Sequence, residues 1–235
     1  MVIHFKSNQN NKLHESIEDS NVKDIWLENF DGTADSVSRI CKILGLEQED
    51  ITEAYIPYGI TKICEEAFKY CESLKSITIP DSVTSIGAEA FYYCESLESI
   101  DIPNSVKVIG NSAFEGCESL TSVIIPNSVT RIGEHAFERC KSLTSVTLPN
   151  SITRISNGTF EGCSELTNIN IPDSITSIGN FAFLGCYSLE SIIIPNSVRR
   201  LGNYTFEDCF SLTVTTNSTY VIIYCEENLV KYKRK

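Results

Sequence analysis

PDSVTSIGAEAFYYCESLESIDI, residues 80–102, is one of seven copies of a single line of text, and its recurrence decides the fold. All seven prolines of the 235-residue chain (Pro57, Pro80, Pro103, Pro126, Pro149, Pro172, Pro195) fall 23 residues apart, each opening one copy. A repeat of this length cannot bury its apolar face alone and does so by stacking on its neighbours, which is the logic of a solenoid. Ile100 and Ile102 alternate with Ser99 and Asp101, so Leu97–Ile102 is expected as a strand with one buried face. Pro103 ends the strand, Asn104-Ser105 turns the chain, and Gly110 permits the next bend. Ala113, Phe114 and Cys117 then share one face of an expected short helical turn. The expected fold is therefore an α/β repeat solenoid with a parallel sheet on one face and short strands and helical turns on the other.

Outward from the repeats, the chain divides into four parts. Residues 1–20 are polar and are read as a flexible lead-in. In 21–56, VKDIWLENF suggests a strand. Val37, Ile40, Cys41 and Leu44 have helical spacing before Gly45, and EDITEAYIP suggests a second strand. This strand-helix-strand unit would cap the open end of the stack, which otherwise exposes its core. The repeats fill 57–217, and 218–235 is read as a C-terminal cap with a basic tail.

Composition narrows the function. The formal net charge of -12 argues against a nucleic-acid partner. No run of 18 apolar residues is present, so no membrane insertion is expected, and the first residues lack the apolar core of a secretory signal. As written the chain is expected in the cytoplasm, with surface display open if a leader is missing.

Seven cysteines (Cys71, Cys94, Cys117, Cys140, Cys163, Cys186, Cys209) hold one position in successive copies. Equivalent residues of stacked coils stand about 4.8 Å apart and point the same way, too far for an unstrained disulfide. They are read as a ladder of buried reduced thiols, beside a ladder of phenylalanines from Phe68 to Phe206. No CxxC pair supplies zinc ligands, and His4, His14 and His135 are isolated in sequence, so neither metal nor cofactor is expected. No phosphate loop, HExxH or GxSxG motif occurs, and no enzyme activity is expected.

The residues IPNSVTxIGxxAFxxCxSLTSVxI, matched nearly letter for letter at 125–148, resemble the leucine-rich repeats of the bacterial surface antigen BspA. The resemblance covers roughly 57–217 and implies a right-handed solenoid with a parallel sheet lining one face. It implies function more loosely, as binding of host, matrix or cell-surface proteins.

Function is then sought in the outward letters that vary between copies. On the sheet face these are Ser76, Thr78, Ser99, Asp101, Ser122, Ile124, Ser145, Thr147, Asn168, Asn170, Ser191 and Ile193. Ile124 and Ile193 are apolar among polar neighbours. A second cluster, Tyr70, Tyr92, Tyr93, Tyr187 and Phe210, surrounds the turn. The first set suits a protein-interaction module, the second a structural component of a larger assembly at the surface or cytoskeleton.

Overall fold

The structure, a computed structural model, describes the strands Val2–Lys6, His14–Ser16 and Asp24–Glu28, and residues 51–56 and 58–235. The helix expected from Val37 to Leu44 lies outside these residues. Val2–Lys6 runs parallel to both Asp24–Glu28 and Glu53–Tyr55, and His14–Ser16 lies antiparallel against Asp24–Glu28. The stretch read as a flexible lead-in thus contributes two strands to the sheet that begins the stack.

The rest is a parallel β-solenoid of stacked coils. Counting each copy from its proline, positions twenty to twenty-two form a strand in five of the seven copies, and positions six and seven form another in all seven. Ser122–Ile124, Ser145–Thr147, Asn168–Asn170 and Ser191–Ile193 pair in sequence order and in register, so Ser145 faces both Ser122 and Asn168. The period of 23 residues is therefore the circumference of the coil. Apolar residues from every coil fill one continuous core, in which Phe68, Phe91, Phe114, Phe137, Phe160 and Phe183 are fully buried. Their rings stack nearly parallel, with centroids 5.2 to 5.8 Å apart.

Position eight sets how closely the coils approach. A Cβ added to Gly110 would stand 2.4 Å from the carbonyl carbon of Gly87 in the coil before, and one on Gly133 would be 2.4 Å from the Asn111 nitrogen. These glycines donate their N–H groups to the preceding coil, Gly110 to Ile86 O and Gly133 to Ile109 O, both at 2.9 Å. Ser156 replaces the glycine in the fifth copy. Its hydroxyl, not its N–H, donates to Ile132 O at 2.7 Å, and the short-strand ladder is interrupted there, between Arg131–Ile132 and Arg154–Ile155.

Two expectations need correction. The turn carrying Ala113, Phe114 and Cys117 is not helical. All residues at positions ten and fourteen have φ between 51° and 74°, including Glu66, Tyr93, His135 and Arg139. A left-handed residue every four positions breaks the helical ladder. The N–H groups of positions ten, twelve and fourteen turn to the next coil, Glu66 to Ala88 O at 2.9 Å, Phe68 to Ala90 O and Tyr70 to Tyr92 O at 2.8 Å, while the alternate ones close local turns, as Lys69 does on Glu66 O at 3.1 Å. Each non-glycine residue held there costs about 1–2 kcal/mol, offset by these bonds. The single helix among the described residues is Thr219–Glu227, so the α/β label overstates the helical part.

The second correction concerns Leu97–Ile102. Ser99, Ile100 and Asp101 hold the expected facing but form no regular strand, and the strand face is divided at that coil. Asp101 is the one charged residue in its column and a poor strand former.

The stack is closed at its far end. The seventh copy reaches its strand one residue early, with Thr213 paired to Ser191, and Tyr232–Lys233 adds a further strand beside Thr213–Thr215. The helix Thr219–Glu227, capped by Ser218, buries Val221, Ile222 and Cys225. Its Tyr220 and Tyr224 hydroxyls accept from the N–H groups of Leu201 and Thr205, at 3.2 and 3.1 Å.

The thiol ladder does more than pack. Cys94, Cys117, Cys140, Cys163, Cys186, Cys209 and Cys225 are free thiols. Cys94 Sγ donates to Phe68 O at 3.1 Å, Cys117 to Phe91 O at 3.3 Å, and Cys140 and Cys163 repeat the pattern at 3.2 Å. Burial pushes the thiols of Cys94, Cys117, Cys140 and Cys163 well up from their ordinary value.

Replacing Phe137 by Ala should lower stability in urea unfolding by about 3–5 kcal/mol, and a loss below about 1 kcal/mol would remove it from the core. The thiols give a pH dependence of fixed sign. Their protonated form is favoured by folding, so their contribution is whole below the unfolded thiol value of about 8.5 and falls as pH rises beyond it, by about 1.4 kcal/mol per pH unit for each thiol. Cys117→Ser should make that alkaline slope shallower by about one proton. Equal slopes in the two proteins would contradict the assignment.

Candidate interaction surface

The alternation of each strand decides which side chains face solvent. In Ser76–Thr78, Ser122–Ile124, Ser145–Thr147, Asn168–Asn170 and Ser191–Ile193 the middle residue is buried and both outer ones are exposed. Ser99 and Asp101 are exposed as well. The twelve residues singled out on the strand face therefore form two columns on one surface. It is a plain of hydroxyls and amides with one carboxylate, interrupted by Ile124 at 71% exposure and Ile193 at 47%. Three coil spacings separate the two isoleucines, about 14 Å at the strand spacing. Thr147 and Asn170 lie between them.

The aromatic corner separates into two groups. Tyr70, Tyr92 and Tyr93 cluster with centroids 4.7 to 6.2 Å apart. Lys69 lies 5.2 Å from the Tyr92 ring and pairs with Glu66 and Glu89 at 3.0 and 2.5 Å. The hydrogen bond to Glu89 is the main reason its ammonium is held above the usual lysine range. Arg139 Nη1 donates to Tyr93 Oη at 2.8 Å, tying this group to the fourth coil. Tyr187 and Phe210 form the other group, stacked at 5.9 Å and 53% and 80% exposed.

A cleft opens beside the short strands, lined by Arg154, Asn157, Asn180, Arg200 and Tyr220 among others. The arginines come from position six, and the asparagines from position nine stitch the coils: Asn157 Oδ1 accepts from Asn180 N at 2.9 Å and Asn180 Oδ1 from Asn203 N at 2.8 Å. Sequence reading passed over this cleft because its residues come from four coils and the C-terminal helix and are near one another only after stacking.

His135, isolated in sequence, is not isolated in space. Its Nδ1 lies 2.7 Å from Glu138 Oε2 and 3.9 Å from Glu161 Oε2. Burial, followed by the charge of Glu138, raises the carboxyl of Glu161 above its ordinary range, and Glu115 is raised chiefly by burial. The contact between His135 and Glu161 spans one coil period plus three residues, the signal that would have exposed it.

With this geometry in place, comparison with known proteins is informative. BspA type leucine rich repeat regions match residues 46–164 and 131–228 of the chain. The chain belongs to this family. No curated protein matches it in sequence. Among solved structures, the BspA-type chain is 30% identical to a leucine rich cell surface protein from Faecalibacterium prausnitzii, with a TM-score of 0.52 over 71% of this chain and 59% of that one. It therefore spans less than two thirds of that protein's length. A leucine rich repeat protein of T. pallidum is 29% identical with a TM-score of 0.56, covering 80% of this chain and 73% of that one. One from Bacteroides ovatus is 26% identical with a TM-score of 0.55, over 72% and 67%. These likenesses support the solenoid and, more broadly, a protein-interaction or surface-associated role. Among the described residues, no helix is long and apolar enough to cross a membrane.

Proposed function

We propose that the chain is a non-catalytic protein-interaction module whose partner is a protein, bound on the strand face. The observation that carries this is the exposed pair Ile124 and Ile193 on a rigid surface of small polar side chains. Exposed apolar anchors within a polar field are what a protein partner buries on binding, since a few residues provide most of the binding free energy. The contact residues are Ser76, Thr78, Ser99, Asp101, Ser122, Ile124, Ser145, Thr147, Asn168, Asn170, Ser191 and Ile193. The Faecalibacterium relative's description as a cell surface protein supports a role at the cell surface over the cytoplasmic placement expected from the sequence, and adhesion is the form of binding this reading favours. The domain plan, with 21–56 and 218–235 as caps on the repeats of 57–217, belongs to the same reading.

A second reading has one observation in its favour. Tyr187 and Phe210 present stacked, largely exposed rings away from the strand columns, as a structural component of a larger assembly would. The two separate by mutation. Ile124→Asp with Ile193→Asp should abolish recovery of the partner on the immobilised chain, with circular dichroism unchanged. Undiminished recovery would reject the strand face, and loss of self-association in Tyr187→Ser with Phe210→Ser would transfer the role to the aromatic pair.

A further inference from the structure

Position thirteen carries Glu115, Glu138 and Glu161 in three consecutive coils, and neighbouring members of such a column are about 4.8 Å apart. Beside this column, at position ten, the fourth copy alone places a histidine. We propose that His135, Glu138 and Glu161 form a binding site for a divalent transition-metal ion of the zinc class, bridging the fourth and fifth coils.

The donor set fits the chemistry. Neutral imidazole nitrogen and carboxylate oxygen are both zinc ligands, and three protein ligands with an open position is a common arrangement. The three donor atoms lie within 4.8 Å of one another. Bond lengths near 2.0–2.2 Å in tetrahedral geometry place neighbouring donors about 3.4 Å apart. The observed separations from His135 Nδ1, 2.7 Å to Glu138 and 3.9 Å to Glu161, lie on either side of that value. Small side-chain rotations therefore bring both carboxylates to an ion that the imidazole also touches. His135 is 37% exposed, Glu138 14% and Glu161 27%, which leaves an entry path and room for water at the open position.

A second observation is independent of the donors. Position ten reads Glu66, Glu89, Ser112, His135, Gly158, Phe181 and Tyr204, so the only glycine of that column sits in the coil directly after the histidine. A Cβ at Gly158 would stand 2.2 Å from His135 Nδ1. Any side chain there would occupy the place where Nδ1 meets the acids, so this glycine creates the cradle. Arg139 also helps: its Nε lies 3.5 Å from Glu138 Oε1, which leaves Oε2 turned to the imidazole. Support of this kind for a ligating carboxylate orients it toward the metal.

The site is tested by calorimetric titration of the full, tag-free chain with zinc chloride. One ion per chain should bind, and Glu161→Gln and His135→Asn should each weaken binding by more than about tenfold. Asparagine is chosen because it tolerates the left-handed backbone at this position, Glu161→Gln changes a partly exposed side chain, and circular dichroism of each variant separates loss of binding from loss of fold. Cobalt(II) in place of zinc should give ligand-field absorption without a thiolate charge-transfer band. Absence of zinc binding, equal affinity in wild type and both variants, or a thiolate band tracing the ion to cysteine would each overturn the proposal.

Discussion

Backbone meeting backbone at position eight is the constraint on which the structure depends. There is no space for a Cβ between Gly110 and Gly87 or between Gly133 and Gly110, and this contact fixes the pitch of the stack. The phenylalanine rings can stack, the thiols can reach the carbonyl of the coil before, and the strands can pair in register because the coils close to this distance. Where Ser156 departs from the rule, the short-strand ladder opens and a hydroxyl replaces an amide as the donor. The exception shows the mechanism: the added atoms are accommodated only by giving up the regular backbone contact.

Much of this was legible in the sequence because repetition turns sequence position into spatial column. Proline spacing gave the circumference, and the invariant Phe, Cys and apolar letters gave the core. The helical turn was misjudged because Ala113, Phe114 and Cys117 have helical spacing, while the left-handed φ at Ser112 and Gly116 that breaks the helix is carried by residues of no common type. Glycine recurs there (Gly116, Gly158, Gly162, Gly185), but Glu, Tyr, Ser, His, Arg, Phe and Asp fill the other copies, so no single letter marks the two positions. What holds them is the hydrogen bonding to the following coil, a tertiary effect that overrides local preference.

The same reasoning explains what could be seen of the surface. Strand alternation identified the outward columns, including Ile124 and Ile193, because a period of two is a local property. His135 and Glu161 could not be joined that way, since their proximity depends on the offset between coils as well as on the repeat. The tie of Lys69 to Glu89 likewise crosses between coils at a separation of 20 residues, which is no whole period, whereas Arg139 and Tyr93 share position fourteen two coils apart. In a solenoid, function resides in variable letters, and these acquire neighbours only after stacking.

The central claim is that coil-to-coil contact at position eight sets the fold, and a single substitution tests its sign. Gly110 has no left-handed backbone to lose, so alanine there would ordinarily raise stability by about 0.4–1 kcal/mol through the unfolded chain. Urea unfolding of Gly110→Ala should instead show a loss of about 1–3 kcal/mol, as overpacking against immovable backbone requires. Stability equal to or above that of the wild-type chain would contradict the account.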